Sequence, residues 1–359
     1  MHLPKKVLIA PLDWGLGHAT RCMPIIDFFL HHNTEVHIAS NGRALLLLQH
    51  TYPELQCHEL PPYAIQYGNN NSAWKLLLQA PKVYAAIEQE HIVLGELLLQ
   101  HSFDLIISDN RYGIYHPAVK SIFLCHQLRI LPPENLRFTL SIFWNLHKSK
   151  IYNFDEIWIP DDKKMQWSGI MAHGFEIAKP HKYIGILSRF SNRHTKSGSI
   201  EGRITAILSG PEPQRSIFED ILLQQAIQLP HIHFTIVRGI TEHNSKTIRS
   251  NMTIIDHLTT NYLASLISES EVIIARPGYS TVMDMIAMEK KTILIPTPGQ
   301  TEQEYLAAHL RKKNMAIVHN QEDFDLKSAL QNIANIENLH QEKGTDIDAF
   351  LSQYFGYTH

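Results

Sequence analysis

The sequence predicts an α/β chain of two doubly wound domains, and three observations carry that expectation. Short β-branched runs alternate with helical stretches through both halves of the chain, the pattern of parallel sheets covered by helices. A polar segment, SRFSNRHTKSGSIEGR from Ser188 to Arg203, interrupts the alternation without any sustained apolar pattern. The 359 residues suffice for two cores of ordinary size. The expected division is an N-terminal domain over 1–187, a linker over 188–203 and a C-terminal domain over 204–359, with the apolar end DAFLSQYFGY packing back on the N-terminal domain. Doubly wound sheets bind ligands beyond the carboxyl ends of their strands, so two such domains facing across a cleft would line it with those loops.

In the first half the expected strands are KKVLIAP, EVHIAS, DLIISD, SIFLCH and DEIWIP. A helix is expected from about His18 to His31, with Met23, Ile26, Phe29 and Leu30 toward the sheet. After the linker come RITAILS, HFTIVRG, MTIID, EVIIARPG, KTILIPTP and MAIVH. Trp74–Leu99 and Leu136–Phe154 are rich in Leu, Phe, Trp and Tyr, and the second carries Arg137, Lys148 and Lys150. They read first as amphipathic core helices and second as a peripheral membrane contact.

Composition narrows the partners. A formal charge of -3 gives no electrostatic reason to expect nucleic acid. Cys22, Cys57 and Cys125 are scattered in apolar surroundings, which suits buried thiols in a reducing, cytoplasmic compartment. The N-terminal apolar run stops at Asp13, too short for a signal or a spanning segment. Histidine is abundant at 23, yet no HExxH or Cys/His ligand spacing occurs, so no metal is expected.

Chemistry is expected at the strand ends. In PLDWGLGHATR, Gly15 and Gly17 allow a tight turn and place His18 at a helix start, where an imidazole stays neutral and can act as a base. The third glycine of the dinucleotide fingerprint is missing, which disfavours a nicotinamide cofactor. Asp109 ends the run LIIS and could orient His18, while His126 and Gln127 stand at the next strand end and could hold an acceptor. In SGPEPQRS, Ser209, Gly210 and the following helix amides could cradle a phosphate that Arg215 pairs. VIIARPGYSTVMDMI ends a strand in Arg276-Pro277-Gly278, where glycine permits close approach, and Tyr279-Ser280-Thr281 open a helix toward an anion. Asp284 suits two ribose hydroxyls, although Thr281-x-x-Asp284 also fits a capping box. PTPGQTEQEY then clusters hydrogen-bonding side chains beside a strand end.

RPGYSTVMDMI followed by IPTPGQTEQEY resembles the nucleotide-sugar signature of GT-B glycosyltransferases, in particular the domain shared by the lipid II-forming UDP-GlcNAc transferases and the monogalactosyldiacylglycerol synthases. GLGHATR is similar to that superfamily's glycine-rich acceptor-side loop, so the resemblance spans both halves. It implies two doubly wound Rossmann-like domains and inverting transfer from a UDP-sugar, which is a substrate, so no cofactor is expected. The acceptor it implies is a cell-envelope lipid or glycan. By position, Gly278, Ser280 and Thr281 would meet the phosphates, Asp284 the ribose, Glu302 and Gln303 the sugar hydroxyls, and Leu258 the uracil, with Arg215 or Arg276 and helix amides taking the leaving charge. His18 and Asp109 would serve the acceptor. The lipid II enzymes have a richer glycine loop and a Gln-Gln pair where this chain has Gln303-Glu304. GLGHATRCMPI also resembles GT-B nucleotide-sugar hydrolases, in which the histidine activates water, and a non-catalytic nucleotide-sugar binding protein is a further alternative.

Overall fold

A computed structural model describes residues 2–63, 73–132, 138–191, 198–240, 245–336, 338–339 and 346–356, with the backbone alone for 73–80, Ile142 and Phe143. The chain forms two compact units, Met1–Arg189 with Lys343–His359, and Phe190–Glu342. Of the expected linker, residues 192–197 lie outside the described residues, and Ile200–Arg203 belong to a strand. Arg137 also lies outside them.

Unit 1 is built on a parallel sheet of seven strands: Lys6–Pro11 (β1), Glu35–Ser40 (β2), Gln56–Glu59 (β3), Leu105–Asp109 (β4), Lys120–Leu124 (β5), Glu156–Ile159 (β6) and His181–Tyr183 (β7), in the order β3-β2-β1-β4-β5-β6-β7. Its helices are Leu16–His31 (α1), Gly42–Thr51 (α2), Ala73–Gln100 (α3), Leu140–Ile151 (α4) and, from the chain's end, Ile347–Tyr354 (α10). Central strands are buried on both faces, so β1 and β4 read as near-continuous apolar runs. In register, Pro11 pairs with Asp109, which brings the loops after β1 and β4 to one edge of the sheet. Helix α1 buries Cys22, Met23, Ile25, Ile26 and Phe29. It lies between the sheet and α10, with the Phe29 and Phe355 rings 5.6 Å apart. Leu30, expected to face the sheet, is instead 36% exposed, because it falls on the helix face that neither covers.

Unit 2 repeats the plan with Ile200–Ile207 (β8), His233–Val237 (β9), Lys246–Arg249 (β10), Met252–Ile255 (β11), Ser270–Ala275 (β12), Lys291–Leu294 (β13) and Ile317–Val318 (β14). The order is β10-β11-β9-β8-β12-β13-β14, parallel except for β10 against β11. Gln214–Ala226 (α5), Thr260–Glu269 (α6), Tyr279–Ala287 (α7), Thr301–Lys312 (α8) and Leu326–Asn332 (α9) connect the strands. The core mixes β8, β9, β11, β12 and β13 with Phe218, Leu222, Phe324 and Leu326.

A buried ion pair organises the carboxyl edge of the first sheet. Arg111 Nη1 donates to Glu90 Oε1 at 2.7 Å, both side chains being fully buried. Its Nε donates to the Pro11 carbonyl at 2.9 Å, and its Nη2 to Asn41 Oδ1. Glu90 Oε2 accepts from Tyr63 Oη at 2.8 Å and from the Gly113 amide at 3.0 Å. The loops after β1, β2 and β4 are thus tied to α3. Arg111→Met strands the Glu90 carboxylate, and we expect a loss of about 3–5 kcal/mol in denaturant unfolding of unit 1. Adding Glu90→Leu should recover part of it; a single variant as stable as the parent contradicts the assignment.

Candidate active site

The first half-site forms where α1 begins at the carboxyl end of the sheet. Gly15 caps α1 with φ +95, a conformation glycine adopts without strain, and no atom lies within 4 Å of where its Cβ would be. The turn delivers His18 to the third helical position, with Gly17 one residue before it. His18 Nδ1 lies 3.2 Å from both carboxylate oxygens of Asp109, the last residue of β4. The sequence reading missed Arg21, three residues on and therefore on the same helix face as His18. Its Nε donates to Asp109 Oδ2 at 2.7 Å and its Nη2 to Oδ1. The same Nη2 is 2.8 Å from His18 Nδ1, and Nη1 is 2.8 Å from Nδ1 of His126. Gln127 follows, half-buried, its amide donating to Cys125 Sγ at 3.3 Å. Among the described residues, Nε2 of His18 has no hydrogen-bond partner, and the ring is 14% exposed.

Electrostatics follow from this geometry. Burial would raise the Asp109 carboxyl, but Arg21 and His18 overcome it and hold the group well below the ordinary carboxylate range. Burial, then the Arg21 charge, push His18 below 6.5 against the pull of Asp109. The imidazole is therefore neutral at physiological pH. A guanidinium only donates, so a bond from Arg21 to Nδ1 puts the ring hydrogen on Nε2, whereas Nδ1–H donation to Asp109 leaves Nε2 a lone pair.

The second half-site lies at the carboxyl ends of β8, β12 and β13. Helix α7 closes its first backbone bond from Val282 N–H to the Gly278 carbonyl at 3.0 Å, so the amides of Tyr279, Ser280 and Thr281 lie at its N-terminal, positive end. Gly278 has φ -69, which any residue adopts. A Cβ there would meet only Thr281 Oγ1, at 3.8 Å, so neither backbone nor packing in the chain requires glycine. The space beside it is open to a close-approaching ligand. Gly278, not Thr281, caps α7, so Thr281 and Asp284 form no capping box. Asp284 is 7% exposed. Leu258 is half-buried in the loop between β11 and α6, and Glu302 is half-buried in the first turn of α8.

Three expectations are corrected. Arg215 is held by Glu212 at 2.6 Å and Glu219 at 2.8 Å, and Glu212 also accepts the Ser216 amide at the start of α5. Glu212 thus already holds the guanidinium and a first-turn amide of α5 that were expected to meet a phosphate beside Ser209 and Gly210. Arg276 is 1% exposed and donates to the carbonyls of Ile295, Pro296 and Gln214 and to Gln321 Oε1. Burial lowers it to about 10, and it clips the three loops together rather than reaching a ligand. Gln303 is buried and accepts the Thr297 amide at 2.8 Å, leaving only its NH₂ for a sugar. The reading also missed Thr297, whose buried Oγ1 has no hydrogen-bond partner among the described residues and lies 3.5 Å from the position of a Cβ on Gly210.

The fold is that of the GT-B glycosyltransferases. The glycotransferase of kitacinnamycin superposes with a TM-score of 0.63 at 12% identity, over 99% of this chain and 94% of that one. The Arabidopsis thaliana UGT89C1 complexed with UDP-L-rhamnose matches equally, with a TM-score of 0.63, 12% identity and coverage of 99% and 94%. Residues 207–351 match the family model described as the glycosyltransferase family 28 C-terminal domain. A UDP-N-acetylglucosamine–N-acetylmuramyl-(pentapeptide) pyrophosphoryl-undecaprenol N-acetylglucosamine transferase of Prochlorococcus marinus is 28% identical over 148 residues, and the chain spans 40% of that relative's length. A glycosyltransferase of Methanosarcina acetivorans is 22% identical over 326 residues, 84% of this chain and 82% of its own.

His18 should titrate below 6.5, followed by ring-proton resonances assigned with a His18→Gln variant. Arg21→Gln should raise that pKa and Asp109→Asn should lower it further, each by about one unit or more. Shifts of the same sign would contradict the geometry.

Proposed function

We propose that the chain is an inverting glycosyltransferase that moves a sugar, GlcNAc or a hexose, from a UDP-sugar to a hydroxyl of a cell-envelope lipid or glycan. The observation that carries the reading is the neutral His18, backed at Nδ1 by Asp109 and open at Nε2, in a chain whose residues 207–351 match the family 28 C-terminal domain. With Nδ1–H donated to Asp109, Nε2 takes the proton of the acceptor hydroxyl. The acceptor oxygen bonds to the anomeric carbon from the face opposite the diphosphate. The bond from that carbon to the diphosphate oxygen breaks, and its electron pair leaves on UDP. On this reading, the α7 amides with Ser280 and Thr281 meet the departing charge, Asp284 accepts from the ribose hydroxyls, and Leu258 packs near the uracil. Glu302 and the Gln303 NH₂ serve the sugar. A lipid-linked acceptor is supported by Phe138 and Leu146, exposed to 78% and 47%, beside Lys148 and Lys150. Among the described residues no helix is long and apolar enough to cross a membrane, so the contact proposed is peripheral.

Calorimetric titration with UDP, GDP and TDP tests the reading. UDP should bind selectively, Asp284→Ala should weaken it about 10- to 150-fold, the worth of about 1.5–3 kcal/mol for hydrogen bonds to a charged group, and His18→Ala should leave binding intact while abolishing transfer. No binding of any nucleotide would overturn the donor assignment. Full turnover by His18→Ala would overturn the base.

A further inference from the structure

We propose that His37, His58 and His101 form a binding site for one divalent transition-metal ion of the zinc class, beside the β2 and β3 edge of the first sheet. The three come from separate segments, which is why no ligand spacing shows in the sequence. His37 lies in β2 and His58 in β3. His58 pairs with Ala39, two residues beyond His37, so both side chains leave the same face of the sheet. His101 follows the last turn of α3, its amide bonded to the Leu97 carbonyl at 2.8 Å. One ring nitrogen from each lies within 4.8 Å of the other two.

The surroundings prepare the cluster for a cation. His37 Nε2 is 2.8 Å from Glu35 Oε1. An ionised carboxylate only accepts, so Nε2 carries the hydrogen and Nδ1 keeps its lone pair. Lys6, 2.8 Å from the same oxygen, helps hold Glu35 ionised. This carboxylate-to-histidine arrangement fixes the tautomer and ring orientation that a metal ligand needs. The lone pair of His37 points at His58, whose Nε2 is 2.9 Å away. Without an ion that gap is bridged by the Nε2–H of His58. An ion replaces that hydrogen when His58 moves its proton to Nδ1, with no net proton released. The rings are already packed, with His37 stacked on His58 at 5.2 Å and Phe103 against His37 at 5.1 Å and His101 at 5.9 Å.

Three imidazoles and a water make a four-coordinate site with nitrogen ligands at about 2.0–2.1 Å, the preference of zinc. His37 and His58 need to part by only a few tenths of an ångström for such bonds, and half-buried His101 supplies the third. His37 stands level with Leu8 of β1, about 10 Å along the strands from the paired Pro11 and Asp109 at three residues of strand rise. The bound ion would clamp the edge strand β3 and the end of α3 to β2.

The test uses the full chain without a histidine tag, stripped with chelator and titrated with zinc against a chromophoric zinc indicator, with thermal unfolding in parallel. The proposal predicts one equivalent bound and a Tm rise of about 5 °C at a hundredfold excess over Kd. His58→Gln and His101→Gln should each cost at least tenfold in affinity and remove the rise. X-ray absorption of the zinc-loaded parent should show three imidazole ligands, a readout that stands even if a variant misfolds. No binding, unchanged binding in both variants, or fewer than three imidazoles overturns the site.

Discussion

The buried pair of Arg21 and Asp109 is the constraint on which the His18 site depends. Asp109 ends a central strand with no exposure to solvent, and such a charge is tolerated only when a partner and hydrogen bonds replace water. Arg21 supplies both through two donor nitrogens. Having matched the carboxylate, the guanidinium reaches His126 through Nη1, and its Nη2 stands 2.8 Å from the His18 Nδ1 that Asp109 also faces. Two histidines from different elements are thereby oriented by one side chain. The arrangement also sets the chemistry: Asp109 favours the imidazolium and Arg21 disfavours it, so the histidine remains a neutral ring that is weakly basic but available.

The donor half-site works differently. Its arginines are committed to structure, Arg276 to carbonyls and Gln321 and Arg215 to Glu212 and Glu219. On the proposed function, the N-terminal end of α7, with Ser280, Thr281 and the space beside Gly278, is left to meet the diphosphate, and fixed amide dipoles there need no reorganisation as the leaving group gains charge. Arg276 contributes by holding the loops after β8, β12 and β13 in register.

Central strands were legible because burial on both faces forces apolar residues on them. The three strands absent from the sequence reading, β3, β7 and β10, are all sheet edges; their residues are largely exposed or half-buried and carry no apolar pattern. His18, Asp109 and His126 could be placed from strand ends alone, and the structure brings them together through Arg21. Arg215 and Arg276 were misjudged because a guanidinium after a strand looks the same in sequence whether it faces a ligand or a carbonyl. Their partners include Glu219, Pro296 and Gln321, and those of Arg276 are brought to it only by the fold. The bond from the Thr297 amide to Gln303 was unreadable for the same reason. The triad of His37, His58 and His101 is assembled by sheet register and a helix end, so no local motif could announce it.

The proposed reaction is a single displacement at the anomeric carbon by a hydroxyl that His18 deprotonates. Its most direct test is the anomeric configuration of the product, read by NMR after turnover of an α-linked UDP-sugar with a lipid or glycan acceptor. A β-linked product transferred to the acceptor is the predicted result. Retention of the α configuration would contradict the mechanism, and release of free sugar at a rate matching the best transfer would show that water is the acceptor instead.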